Sequence, residues 1–220
     1  YVDDGISGTT FNRPGFQEML ADYPAETLHE TIRDFHDTKK RLQALKNAVK
    51  EDVCHRASGV QEEINFALEH EEIADVFGDL LRKGELPLRV THNDTKLNNV
   101  MIDLATGKGI CVVDLDTVMP GLAMNDFGDA IRFGASTALE DEKDLSKVSC
   151  NMELYEAYVK GFLESCGDKL TRKEIEFLPM GAKVMTYECG IRFLTDYLEG
   201  DHYYKIDREE HNLDRCRTQF

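Results

Sequence analysis

Basic side chains are scarce in this chain. It carries 26 Lys and Arg against 42 Asp and Glu, for a formal net charge of −16. That balance argues against nucleic acid as the main partner, because a phosphate backbone calls for a basic face. It argues equally against an anionic membrane surface. No stretch approaches the roughly 18 apolar residues of a membrane span. The start, Tyr1-Val2-Asp3-Asp4, lacks the positive and apolar regions of a signal peptide. It also lacks an initiator Met, so the start is expected to fall inside a longer reading frame. None of the six cysteines (Cys54, Cys111, Cys150, Cys166, Cys189 and Cys216) forms a C-x-x-C pair, and no His cluster lies near them. A zinc site is therefore not expected. Several sit in apolar stretches, as Cys111 does in Ile110-Cys111-Val112-Val113. Buried, reduced thiols in a cytoplasmic protein account for this pattern.

What is present suffices for a folded domain. Hydrophobic residues make up 41% of the 220, so a sizeable core can form. Residues 1–16 are turn-rich, with Asp4-Gly5-Ile6-Ser7-Gly8 and Arg13-Pro14-Gly15, and read as a loop or tail. From about 26 to 83 the pattern is helical. Phe66, Ala67, His70, Ile73, Val76, Phe77, Leu80 and Leu81 recur at helical spacing. Ser58 suits the N-cap, Glu62 and Glu63 the first turn, and Gly84 and Pro87 the stop. The charged stretch 37–51 reads as a solvated helix face. Val100-Met101-Ile102 and Ile110-Cys111-Val112-Val113 are short β-prone runs around the turn Thr106-Gly107-Lys108-Gly109, which predicts a hairpin. Beyond 126 two further helical stripes appear. One is Met152, Tyr155, Tyr158, Val159, Phe162 and Leu163, ended by Gly167. The other is Leu178, Val184, Met185, Ile191, Leu194 and Leu198, ended by Gly200. Both predict core. The fold class is mainly α with a small β-hairpin.

Chemistry concentrates around that hairpin. His92-Asn93-Asp94 is followed by Asn99 before it, and Asp114-Leu115-Asp116 closes it. Phosphoryl transfer needs a carboxylate to orient or deprotonate the acceptor hydroxyl, and hard oxygen ligands to hold Mg²⁺ on the nucleotide phosphates. Asp94 suits the first role. Asn99 and Asp114 suit the second, with Asp116 as an additional ligand. His92 suits an ordering role in the loop. Asp126 and Asp129 also suit the N-terminus of a helix. A polar-aromatic segment late in the chain holds Arg192, Asp196, Tyr197 and Tyr203. Arg192 and Tyr203 are the candidates for substrate recognition there. The alternative is that Arg192 pairs with Asp196 at i,i+4.

The pattern H-x-D-x4-N followed by V-x-D-x-D resembles the aminoglycoside phosphotransferase and choline kinase-like superfamily. Protein kinases differ, with Arg at the position of Asn93 and D-F-G downstream. The run Leu88 to Ala135 is similar to the N-acetylhexosamine 1-kinases of that superfamily, and the likeness extends over roughly residues 18–220. The resemblance implies the C-terminal lobe of a protein kinase-like fold. It implies a nucleotide and a sugar as partners, with ATP and Mg²⁺ phosphorylating the anomeric hydroxyl of GlcNAc or GalNAc. On the same ground Asp94 is the base, Asn99 and Asp114 bind Mg²⁺, and Asp129 braces the catalytic loop.

A kinase of this fold also needs a small lobe with a phosphate-covering loop and a strand Lys. Nothing before Asp94 supplies either, so that lobe is expected to be missing and the chain to turn over little alone. Residues 1–17 instead resemble a stretch of the serine recombinase catalytic domain, without its nucleophilic Ser. Two other readings stand beside the kinase. Val112 to Val118 fits a haloacid-dehalogenase-like phosphatase, with Asp114 as nucleophile and Asp116 as acid/base. The lobe could also be a non-catalytic remnant or a recombinase-derived fusion.

Overall fold

The computed structural model describes residues 28–220. The tail read over 1–17, and the start of the kinase-like region at 18–27, lie outside the described residues. The elements run α1 (Thr38–Glu51), α2 (Gln61–Glu69), α3 (Val76–Arg82), β1 (Arg89–Thr91), β2 (Val100–Ile102), β3 (Gly109–Val112), β4 (Met119–Gly121), α4 (Ala123–Gly134), α5 (Met152–Cys166), α6 (Arg172–Glu199) and α7 (His211–Gln219).

Helix ends follow local chemistry. The Asp37 carboxylate caps α1 by accepting the Lys40 N–H at 3.0 Å. Asn151 caps α5 through the Leu154 N–H at 3.1 Å. Thr171 and Glu174 form a reciprocal capping box on α6, and Gly200, at φ 107°, ends it in the left-handed region. Glu174 is fully buried and also pairs with Arg89 of β1, at 2.5 and 2.7 Å. That pair ties the first strand to the longest helix.

Helix α6 is the axis of the core. Its buried residues include Leu178, Val184, Met185, Ile191, Leu194 and Leu198, the predicted stripe. Helix α4 lies against it at very short range. A Cβ built on Gly128 would overlap the Gly181 carbonyl, and one on Gly181 would overlap the Met124 carbonyl. Only paired glycines let these two backbones touch. Helix α5 packs on α4 through Phe127, whose ring meets Phe162 edge-on at 5.2 Å.

Two antiparallel pairs complete the fold. The predicted hairpin is β2–β3, with Val100 opposite Val112. The second pair, β1–β4, sets Thr91 opposite Met119 and Arg89 opposite Gly121. Met-Pro-Gly carries no strand signal, so this pairing is invisible to pattern. Pro120 is tolerated because a two-stranded ribbon is all edge.

Four expectations change. Residues 28–37 are turns and bends rather than helix. Ser58 lies in a 3-10 turn and does not cap α2. Asp52 organises that turn instead, accepting the Arg56 and Ala57 N–H groups at 2.8 and 2.9 Å. The stripe on α5 is only half core, since Met152 is 58% exposed and α5 has no fully buried residue. Cys111 is exposed because most side chains of the hairpin face solvent, and Cys150, outside the hairpin, is exposed as well; Cys189 and Cys216 are buried. All six thiols are free.

The glycine contact generates a prediction. Gly128→Ala or Gly181→Ala forces the helices apart and should cost about 3 kcal/mol. Gly161→Ala, in α5 with nothing near its Cβ position, should stabilise by about 1 kcal/mol. Urea unfolding of the three variants checks the contrast.

Candidate active site

The segment 92–99 between β1 and the hairpin is held by hydrogen bonds at almost every residue. His92 connects it forward. Its Nε2–H donates to the Val113 carbonyl at 3.0 Å, and its Nδ1 accepts the Asp94 N–H at 3.3 Å. Asn93 adopts a left-handed φ of 65°. Its buried amide donates to the carbonyls of Thr91 and Thr117, at 3.2 and 3.0 Å, and accepts the Thr91 hydroxyl at 2.9 Å.

The side chain that grips this backbone is Asp126. Its two oxygens accept the N–H groups of His92 and Asn93, at 2.9 and 2.7 Å, and its carbonyl accepts the Thr95 hydroxyl at 2.5 Å. Burial pushes the Asp126 carboxyl up, opposed by those two N–H groups. This corrects the role assigned to Asp129. The Asp129 carboxylate turns to Arg132, with Oδ1 accepting from Nε and a terminal nitrogen at 3.1 and 2.9 Å. Its Oδ2 is buried without a donor among the described residues.

The predicted polar residues gather around Lys96. Asp94 Oδ2 accepts both the Lys96 ammonium and the Asn99 amide, each at 2.9 Å. Asp94 Oδ1 has no partner among the described residues. The Asn99 amide nitrogen also reaches the Asp94 carbonyl at 2.8 Å, which leaves Asn99 Oδ1 unpaired there. Lys96 feels the charges of Asp94, Asp129 and Asp114. Burial lowers its pKa, the Asp94 hydrogen bond raises it, and the net shift is upward.

Asp114 sits at the end of the hairpin, at φ 63°. Asp116 beside it raises the Asp114 pKa by sharing a proton and by like-charge repulsion. Two exposed carboxylates side by side form the electronegative spot that a divalent cation relieves. No group of three or more His, Cys, Asp or Glu able to hold a metal exists among the described residues. The donor set nevertheless fits Mg²⁺, which takes one or two protein oxygens and completes its octahedron with phosphates and water. Asn99 Oδ1 and Asp114 are such oxygens.

Arg192 and Tyr203 lie together. A guanidinium nitrogen of Arg192 is 3.5 Å from the Tyr203 hydroxyl. The same guanidinium lies 5.4 to 5.7 Å from the ring centres of Phe35, Tyr203 and Tyr204. The i,i+4 pair with Asp196 does not form. Asp196 accepts the N–H groups of His202, Tyr203 and Tyr204 and the Asn212 amide instead. Arg192 therefore has no carboxylate partner among the described residues. Its pKa is nonetheless raised: burial lowers it, and neighbouring groups led by Tyr204 outweigh that.

A larger cavity of about 620 Å³, lined by Arg132, Lys183 and Phe220 among others, does not include Asp94 or Asp114. Both described strand pairs are antiparallel, so the phosphatase reading finds no parallel sheet among the described residues. Sequence reasoning missed the grip of Asp126, the bond of Lys96 to Asp94, and the contact of His36 with the loop. Only Asp126 left a trace, as an acidic residue in the first turn of a helix.

The site thus holds a loop carboxylate with a lysine and an amide on one oxygen, within electrostatic reach of an aspartate at a hairpin end. Residues 16–168 match the model of the phosphotransferase enzyme family, and the chain belongs to that family. No described helix is long and apolar enough to cross a membrane.

The Asp126 clamp is open to test. Asp126→Asn leaves one acceptor for two N–H groups. Amide exchange at His92 and Asn93 should accelerate at least about tenfold, the equivalent of about 1.4 kcal/mol. Unchanged protection at both amides would show that the loop is held by other means.

Proposed function

We propose that this phosphotransferase transfers the γ-phosphoryl group of ATP to a sugar hydroxyl, with Asp94 as the base. The carrying observation is the state of the Asp94 carboxylate. One oxygen is fixed by Lys96 and Asn99 and the other is unpaired among the described residues. The unpaired oxygen suits a hydroxyl proton. As the acceptor oxygen bonds to the γ-phosphorus, the bond from that phosphorus to the bridging oxygen breaks and ADP leaves. The acceptor proton passes to Asp94. Lys96 keeps Asp94 oriented. Asn99 and Asp114 would hold Mg²⁺, with Asp116 beside them. The metal, when bound, would supply charge neutralisation on the phosphates. The exposed apolar side chains of Ile110 and Val112, on one face of β3, offer a surface against which a nucleotide base can rest.

The finer reading is that the acceptor is the anomeric hydroxyl of an N-acetylhexosamine. It is supported by the likeness of the run 88–135 to the N-acetylhexosamine 1-kinases. It is also supported by Arg192 and Tyr203, a cation in an aromatic wall of the sort sugars pack against.

A coupled ADP-release assay with Mg²⁺ and ATP on GlcNAc and GalNAc tests the proposal. Asp94→Asn should lower kcat by about 10²- to 10⁴-fold with little change in KM for the sugar. Asp114→Ala should raise the Mg²⁺ concentration needed for half-maximal rate. Retention of full turnover by Asp94→Asn would remove the base from the mechanism. Equal inactivity of both sugars beside a reactive alcohol of another class would remove the hexosamine.

A further inference from the structure

His36 belongs to no motif, yet it touches the loop that carries Asp94. Its Nε2 lies 2.9 Å from the Asn93 carbonyl, and its Nδ1 lies 2.8 Å from Glu188 Oε1. The two side chains are 8% and 0% exposed. Glu188 sits in the middle of α6, and its second oxygen accepts the Thr38 hydroxyl at 2.6 Å. The Phe35 ring covers the imidazole at 4.6 Å. Both partners of the imidazole are acceptors. A neutral ring has one N–H and can satisfy only one of them, whereas an imidazolium satisfies both.

Asn93 is thereby held from two sides. Its N–H ends on Asp126 of α4, and its carbonyl ends on His36, which is anchored to α6. The residue between these grips has a left-handed φ, and the next residue is Asp94. We propose that His36 is a positioning residue: as an imidazolium clamped by Glu188, it holds the Asn93 carbonyl and so fixes where Asp94 points. The proposal rests on the reading of Asp94 as the base.

The charges around the pair are consistent with this. Burial opposes the charge of His36, Glu188 outweighs it, and the net pKa lies above the ordinary 6.5. Burial would raise Glu188, but His36, with help from Arg192 and Thr38, brings it below the ordinary 4.5. Arg192 faces the pair from α6 and Asp126 from α4. Asp34 and Asp37 line the same cavity of about 320 Å³ as His36. The sign of the pH dependence follows. The histidine contribution is complete below pH 6.5 and is lost as pH rises through its raised folded value. The glutamate contribution is complete above pH 4.5 and is lost as pH falls through its lowered folded value. Above the histidine value one N–H is gone, the Asn93 carbonyl or Glu188 loses its donor, and the loop loosens.

The experiment follows ¹⁵N-histidine signals of the 220-residue chain against pH, together with amide exchange at Asp94 and Thr95 corrected for its intrinsic pH dependence. His36 should show two N–H groups at pH 6.5 and titrate above that value, and loop exchange should rise at least tenfold over the same interval. Glu188→Gln should move both transitions down together. His36→Gln, which can still donate to Asn93 but cannot titrate, should make loop exchange independent of pH, and it carries the test if Glu188→Gln fails to fold. A neutral His36 at pH 6.5 overturns the proposal, as does loop exchange that ignores its titration. Turnover gives an independent arm. An alkaline limb in kcat that vanishes in His36→Gln, at constant sugar KM, supports positioning; a limb that persists overturns it. Absence of hexosamine turnover at every pH would remove the hexosamine reading, with the two spectroscopic arms still deciding the role of His36.

Discussion

Two backbone N–H groups, those of His92 and Asn93, end on one buried carboxylate, and the geometry of the site depends on that meeting. Asp126 is useful only because it is immobile. It stands on α4 two residues before Gly128, where that helix touches α6 backbone to backbone. A loop held by two N–H bonds to a swinging side chain would wander. A loop held by a carboxylate on a helix that cannot translate does not. The packing of two glycines in this sense sets the position of the loop.

Around that fixed loop the charges are arranged in opposition. Asp94, Asp114, Asp116 and Asp129 converge around Lys96, which bonds Asp94, while Arg132 bonds Asp129. In a chain of net charge −16 the like-charge repulsion between Asp116 and Asp114 is costly without a counterion. A cation arriving with nucleotide phosphates would turn the repulsion into binding. The same logic explains why the acidic balance of the chain does not oppose a polyphosphate partner.

Much of this was legible in the residues. The spacing from His92 to Asn99, the hairpin over 100–112 and the stripe on α6 each carry their own periodic or chemical signature, and local signals are what a single sequence displays. The misreadings have one cause, contacts between segments far apart in the chain. Asp126 and Asp129 are one helical turn apart with the same chemistry, and only the direction of α4 decides which faces the loop. The β1–β4 pairing joins segments 28 residues apart through a Met-Pro-Gly strand. His36 stands 57 residues before Asn93 and 152 before Glu188, with no pattern linking the three. Cys111 reads as core because its neighbours are apolar, but the hairpin turns that face to solvent.

The left-handed backbone at Asn93 and Asp114 has a consequence for how this loop can evolve. Such φ values are comfortable for glycine and tolerable for Asn and Asp, and for few others. The site thus has two hinge points at which the usable alphabet shrinks to about three letters. Glycine at Asn93 would keep the path of the chain but abolish three amide hydrogen bonds. Glycine at Asp114 would keep the turn but remove the oxygen. Mutational drift at these positions is therefore channelled toward variants that look conformationally intact and are chemically silent. A lineage released from selection for activity would be expected to retain this loop's shape long after losing its chemistry.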